Sequence, residues 1–275
     1  GILVLAEQEH ARQRRRPGLA EDPAAGMHGD AHHRTQPAHR GDGAQPGQFV
    51  NLWLRGVDEK RYSVAADDGK TLQIAVCAVG PVSRQLAALQ PGDRIGIRGP
   101  FGNAFSVAGA RRIVLVGGGF GSAPLHFLGT RAQQQGAEVT IIIGARTQDL
   151  LMYLDICARS GFRVIATTDD GSYGEPGRVT APLRRLLENG EVDLVQTCGP
   201  EKMMEAVARL CQEFNVPSEL SVERYMKCGF GICGQCACDG AIVCRDGCIF
   251  SGEAALQLDE FGKYHRDQEG RRVGY

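Results

Sequence analysis

Four cysteines carry the most specific chemistry in this sequence. Cys228 and Cys233 are separated by four residues, Cys233 and Cys236 by two, and Cys236 and Cys244 by seven. A C-x4-C-x2-C run with a more distant fourth cysteine is the spacing with which thiolates hold a plant-type [2Fe-2S] cluster. Gly229, Gly231 and Gly234 interleave these ligands. A loop that wraps such a centre must bring main-chain N–H groups toward its sulfides with no Cβ in the way, and glycine permits this. Zinc is the competing metal, since it also takes four thiolates. Zinc ribbons, however, pair two C-x2-C knuckles, and this stretch has one. Cys238 and Cys248 are surplus thiols in the same stretch. Cys238 follows Cys236 too closely for a loop to turn, and Cys244 ends an apolar "AIV" strand that returns the chain, so Cys244 is the expected fourth ligand.

Three other stretches suit nucleotides. "VGGGFGSAPL" sets Gly117, Gly118, Gly119 and Gly121 between an apolar strand and a helix start, where a phosphate can rest on helix N–H groups. Ser122 and Pro124 stand where a stricter fingerprint has its third glycine, so a turn made of glycine for packing alone is the alternative. "CGPEKMM" places Cys198, Gly199 and Pro200 at the end of a later strand, where open α/β sheets bind ligands; Cys198 either touches a nicotinamide ring or packs. "KRYSVA" offers Tyr62 to flank a flavin ring and Ser63 to hydrogen-bond it, against an edge-strand aromatic beside a solvated serine. Ser83, with Arg84, opens a helix that suits the flavin's pyrophosphate. Arg146, after "IIIGA", either meets a 2′-phosphate or is solvated, which leaves NADH against NADPH open.

The elements that must position these groups change character along the chain. Residues 1–45 hold five of the seven histidines and the run "RQRRRPG", and show no periodic apolar pattern after "ILVLA". They read as a disordered or poorly defined arm whose histidines form no specific metal site. Residues 46–108 read as short strands punctuated by turns, a small antiparallel barrel. Residues 109–218 alternate apolar strands with helices: "RRIVLVGG", a helix to about Gln135, "AEVTIII", "FRVIATT", "TAPLRRLLENG", "VDLVQTC" and "EKMMEAVARLCQEF". That alternation implies a parallel sheet with helices on both faces, an open nucleotide-binding type of sheet. Residues 219–275 hold the cysteine loop. The fold class is therefore multi-domain, an antiparallel β-barrel followed by a parallel α/β domain and a small C-terminal cluster domain.

With 31 basic and 32 acidic residues, the chain has no global field for nucleic acid or an anionic membrane. No apolar run nears the length of a membrane span, and "GILVLA" lacks the basic lead-in of a secretory signal, so a cytoplasmic protein is expected. Cys77, Cys157, Cys198 and Cys211 sit singly in apolar patterns and read as small buried hydrophobes.

The order of these motifs, "RYS", "GPFGNAF", "GGGFGSAPL", "TDDGS", "CGPEKMM" and "ERYMKCGFGICGQC" with "VCRDG", closely resembles the electron-transfer subunits of two-subunit, NAD-dependent dihydroorotate dehydrogenase, a branch of the ferredoxin reductase-like superfamily. The likeness runs from about Pro46 to Val273. It implies a subunit that exchanges hydride between NAD(H) and FAD and passes single electrons through the [2Fe-2S] cluster to FMN. That FMN lies in a separate catalytic subunit, which oxidises dihydroorotate in pyrimidine synthesis, in a heterotetramer of two subunits of each kind. The resemblance puts Arg61, Tyr62 and Ser63 on the flavin strand, with Lys60 where relatives have arginine. Reductase subunits of sulfite reductase or a soluble hydrogenase resemble the same cysteine loop, and the tail "DEFGKYHRD" favours the first family. A zinc-stabilised binding module is the alternative of another class.

Overall fold

The computed structural model describes residues 2–7, 31–35, 43–107 and 109–275. The first region is a six-stranded sheet formed by β1 (Ile2–Glu7), β2 (Ala31–Thr35), β3 (Phe49–Leu54), β4 (Asp58–Asp67), β5 (Leu72–Cys77) and β6 (Gly96–Phe101), with helix α1 (Pro81–Ala87) between the last two strands. The strand order is β2-β1-β5-β4-β3-β6. β1 and β2 correct the expectation that residues 1–45 form no strands. "ILVLAE" pairs in parallel along β5 and antiparallel with "AHHRT". The other residues of the arm up to 42, His28 and His39 among them, lie outside the described residues.

A sheet strand exposed on one face alternates buried and open residues, as "QFVNLWL" suggests for β3. The observed pattern is different: every β3 residue except Trp53 is buried, and Asn51 is 2% exposed. The face expected to meet water is covered by the chain leading into the cysteine loop, where Asn51 Nδ2 donates to the Lys227 carbonyl at 3.0 Å.

The second region is a seven-stranded sheet. β7 (Arg112–Gly118), α2 (Ser122–Gln134), β8 (Glu138–Ala145), α3 (Leu154–Arg159), β9 (Arg163–Thr168), β10 (Glu175–Pro176), α4 (Thr180–Glu188), β11 (Leu194–Cys198), α5 (Glu201–Glu213) and β12 (Ser218–Ser221) follow in chain order. The strands and helices named from the sequence all form, and the short α3 and β10 join them without an apolar period to announce them. The order β10-β9-β8-β7-β11-β12 is parallel throughout. The chain reverses direction across the sheet between β7 and β11. Leu125, Leu128 and Cys157 cover one face, and Leu183, Val207 and Leu210 the other. Helix α2 also seals the sheet to the barrel, because Phe127 enters the barrel core.

The third region is short: β13 (Ala237–Cys238), β14 (Ala241–Ile242), α6 (Val243–Asp246), β15 (Ile249–Ser251), α7 (Gly252–Leu256), β16 (Tyr264–Arg266) and β17 (Arg272–Gly274). β15 joins the large sheet antiparallel to β12. The core of this region consists of Phe49 from β3 with Cys236, Cys238, Val243, Cys244 and Cys248. So few apolar side chains give little hydrophobic drive of their own. Among the described residues no helix is long and apolar enough to cross a membrane.

Candidate electron-transfer site

The cysteine loop is built on main-chain geometry. Gly231, at φ +89°, directs its N–H to the Cys244 sulfur at 3.2 Å, and a Cβ there would meet the Arg245 side chain at 3.0 Å. Gly229, at φ +86°, lets the loop pass within reach of the Phe101 ring, where a Cβ would come to 2.8 Å. The backbone angle calls for glycine at both positions, and at Gly229 the Phe101 ring leaves no room for a Cβ as well.

The four thiols come together two by two. Cys228 and Cys233 are within hydrogen-bond reach, and so are Cys236 and Cys244. Among the described residues no three ligating side chains close around one ion. Two pairs of thiolates match what two bridged irons take, two ligands each. The electrostatics fit the same group. Burial works against the Cys228 thiolate, but N–H groups of Cys233, Phe230 and Ile232 outweigh it and draw the thiol down to about 6. Burial and then the neighbouring Cys236 push Cys244 up to about 12. Thiols crowded in this way lose their protons when a cation binds and neutralises them.

One detail of the expected ligand set is corrected. Cys244 does not end a strand: β14 stops at Ile242, and Cys244 lies in the short helix α6. The surplus thiols have other partners. Arg224 Nη2 donates to Cys238 Sγ at 3.0 Å, and burial pushes both Cys238 and Cys248 up to about 11. The same Arg224 forms a buried ion pair with Glu201 in the first turn of α5. This joins the end of the "CGPE" turn to the cluster region, a link no motif announced.

The nucleotide motifs meet at the carboxyl edge of the large sheet. The β7–β11 register puts Gly117 opposite Cys198, beside the reversal in strand order. Such a switch point is where open α/β sheets leave a crevice for a ligand. The glycines divide in role. A Cβ on Gly121 would stand 2.1 Å from the Cys198 carbonyl oxygen, and one on Gly118 would strike Pro200, so both are glycine for packing. Gly119 faces open space beside the half-exposed Phe120. Gly199 and Pro200 complete the turn against Gly118. Cys198 is buried and hydrogen-bonded to Ser221; burial and then Glu223 push its thiol up to about 12. It therefore sits at the site as a neutral group.

On β4, Arg61 reaches Glu223 at 3.5 Å, and Lys60 pairs with Asp58 at 2.8 Å and lies over Tyr225. Tyr62 is half-buried against the barrel core, with burial pushing its hydroxyl up to about 12. Ser63 sits opposite Phe49. A cavity of about 420 Å³ opens beside this strand, bounded by Arg61, Tyr225, Met226, His265 and Tyr275. Its size lies within the range of small-ligand pockets. Ser83 is engaged in its own turn: its hydroxyl accepts from Gly80 N–H at 2.9 Å and donates to the Gly80 carbonyl at 3.2 Å. Arg146 directly follows β8.

Sequence reading missed four contributors. Asn51 was a polar residue in an apolar strand, and Arg98 an isolated base in "GIRGPFG". Phe230, 51% exposed, and Ile232, 80% exposed, place apolar surface at the tip of the ligand loop. Their only signal was apolar side chains between metal ligands.

Residues 223–255 match the iron–sulfur cluster binding domain of dihydroorotate dehydrogenase B, and residues 115–209 match the oxidoreductase NAD-binding domain. The chain is 42% identical over 233 residues to the probable dihydroorotate dehydrogenase B (NAD(+)), electron transfer subunit of Methanocaldococcus jannaschii, covering 84% of this chain and 88% of that protein. It is 45% identical over 213 residues to the subunit of the same description in Thermococcus kodakarensis, covering 78% and 87%. Among solved structures, an NADH-dependent reduced ferredoxin-NADP oxidoreductase described in terms of flavin-based electron bifurcation aligns with a TM-score of 0.68 at 32% identity, over 76% of this chain and 79% of that one.

Proposed function

This chain belongs to the family of dihydroorotate dehydrogenase B electron-transfer subunits, and from that premise we propose that it carries electrons between a catalytic partner and NAD(H) in pyrimidine biosynthesis. Cys228, Cys233, Cys236 and Cys244 would hold the [2Fe-2S] cluster, Arg61, Tyr62 and Ser63 the FAD, and Gly117, Gly119 and the Cys198–Pro200 turn the NAD(H). When bound, the flavin supplies the exchange between two-electron hydride chemistry and the one-electron steps of an iron–sulfur centre.

The observation that carries the reading is the placement of the three motifs. Gly117 and Cys198 lie opposite each other at the sheet's switch point. β4 faces the segment that leads into Cys228, through Arg61 to Glu223 and Lys60 to Tyr225. The protein's own residues bind and orient: N–H groups of the loop stabilise thiolate, neutral Cys198 gives the nicotinamide a surface without charge, and Gly119 leaves room for close approach.

The partner is an FMN-containing catalytic subunit that oxidises dihydroorotate, in an assembly of two subunits of each kind. Phe230 and Ile232 support docking at the cluster loop, because exposed apolar side chains beside a redox centre suit burial against a second protein. The test is reconstitution of the full chain with that subunit. NAD+-dependent formation of orotate is expected. A pair that holds its cofactors and still forms no orotate would overturn the reading.

A further inference from the structure

Arg98 stands outside every motif of the proposed function, yet it is the most heavily bonded side chain next to the cluster loop. Its Nε and Nη2 donate to both carboxylate oxygens of Glu59 at 2.8 and 2.7 Å. Its Nη1 donates to the main-chain carbonyl of Cys228 at 2.9 Å, and Nη2 also leans toward the Lys227 carbonyl at 3.4 Å. Asn51, opposite Arg98 in the β3–β6 register, supplies the stronger bond to that Lys227 carbonyl. The guanidinium lies over the Phe101 ring, the same ring that packs on Gly229.

We propose that Arg98 is a positioning residue for the cluster: its guanidinium clamps the main chain at the first ligand, Cys228, and Glu59 governs how much of its positive charge that ligand experiences. The inference rests on the assignment of Cys228 as a cluster ligand. Two properties of the guanidinium make it suitable. Its planar fork binds a carboxylate bidentately while a further N–H serves a third acceptor, which an ammonium on a flexible stem cannot reproduce. Its charge is permanent, so it favours whichever state of the neighbouring group is more negative. A cluster holding one more electron is the more negative state, so Arg98 favours reduction and Glu59 opposes it. Glu59 belongs to β4, the strand of Arg61 and Tyr62. One side chain therefore ties the flavin strand to the first cluster ligand. Both charged groups are part-exposed, 40% for Arg98 and 29% for Glu59, so solvent moderates the size of the effect without changing its direction.

The experiment is a redox titration of the full chain with its cofactors, followed by visible absorption and EPR, for wild type, Arg98→Gln, Arg98→Lys and Glu59→Gln. The cluster midpoint is expected to fall in Arg98→Gln and to rise in Glu59→Gln. Arg98→Lys keeps the charge and loses the fork, so its EPR line shape should change while its midpoint stays nearer to wild type. A salt bridge that only joins two barrel strands would leave the cluster signal unmoved or shift both glutamine variants in the same sense, and either result overturns the inference. Should Arg98→Gln lose its iron, loss of iron in Arg98→Lys as well supports the clamp, retention there overturns it, and Glu59→Gln still decides the charge effect. Wild-type protein without iron or sulfide would overturn the cluster assignment itself, a failure distinct from an unchanged midpoint in iron-loaded variants.

Discussion

Two glycine-rich turns in this protein serve opposite purposes. In the cysteine loop, Gly231 brings its N–H onto the Cys244 sulfur, and on the proposed ligand set the glycine exists for the group the loop would hold. In the nucleotide sheet, Gly121 presses against the Cys198 carbonyl, and the glycine exists so that two motifs can touch. The same residue type thus supports chemistry directly in one place and through packing in the other. The difference follows from the partner. A cluster loop gains from donors aimed inward, whereas a switch-point crevice needs two strand ends brought close together before any ligand is considered.

The sharpest way to break this comparison is at the ligands. Cys233→Ser is expected to lose the cluster outright, while Cys238→Ser, whose thiol is bonded to Arg224, keeps wild-type iron content. Iron analysis of both proteins checks it, and equal content would contradict the ligand set. Next in size is Gly121→Ala. Its new methyl would lie on backbone atoms that cannot swing away, so a cost of about 3 kcal/mol or more in denaturant unfolding is expected, at the upper end of overpacking penalties. Gly234→Ala sets the contrast: at φ +68° with open space around it, it should cost only about 1–2 kcal/mol, the left-handed penalty alone, and retain iron.

Smaller effects sharpen the same picture. Ile232→Asp leaves the fold untouched because the side chain is exposed, and should weaken binding of the catalytic partner by about 1–2 kcal/mol, read as a roughly tenfold rise in Kd. The buried thiols Cys157, Cys198 and Cys211 are all pushed up to about 12 by burial. A raised pKa favours the protonated form, and only thiolate is alkylated, so in the folded protein these three should stay unmodified by iodoacetamide at pH 8. Peptide mapping after unfolding, when all three react, completes the test.

Much of this was legible in the sequence where function lies in short spacing. The cysteine run needs only its own seventeen residues to declare a metal, and largely apolar strands such as "RRIVLVGG" and "AEVTIII" alternating with helices declare a parallel sheet. What stayed hidden depends on residues far apart in the chain. Asn51 is buried because a segment 176 residues later covers it, and Arg98 meets Cys228 across 130. No local period records such a contact. The strands of the arm stayed hidden for a related reason: β1 and β2 pair with each other and β1 with β5, and no local period records that pairing. Gly121 and Gly119 look alike in sequence, and only the approach of Cys198 separates a packing glycine from one that faces open space.

The account depends most on the pairing of Cys228 with Cys233 and of Cys236 with Cys244 around a two-iron centre. Iron, acid-labile sulfide and zinc should be measured in anaerobically purified full-length protein, with an EPR spectrum after reduction. Equal iron and sulfide, about two of each per chain, with a paramagnetic signal only in the reduced state, is the predicted result. Zinc in place of iron, with no sulfide and no signal, would contradict it.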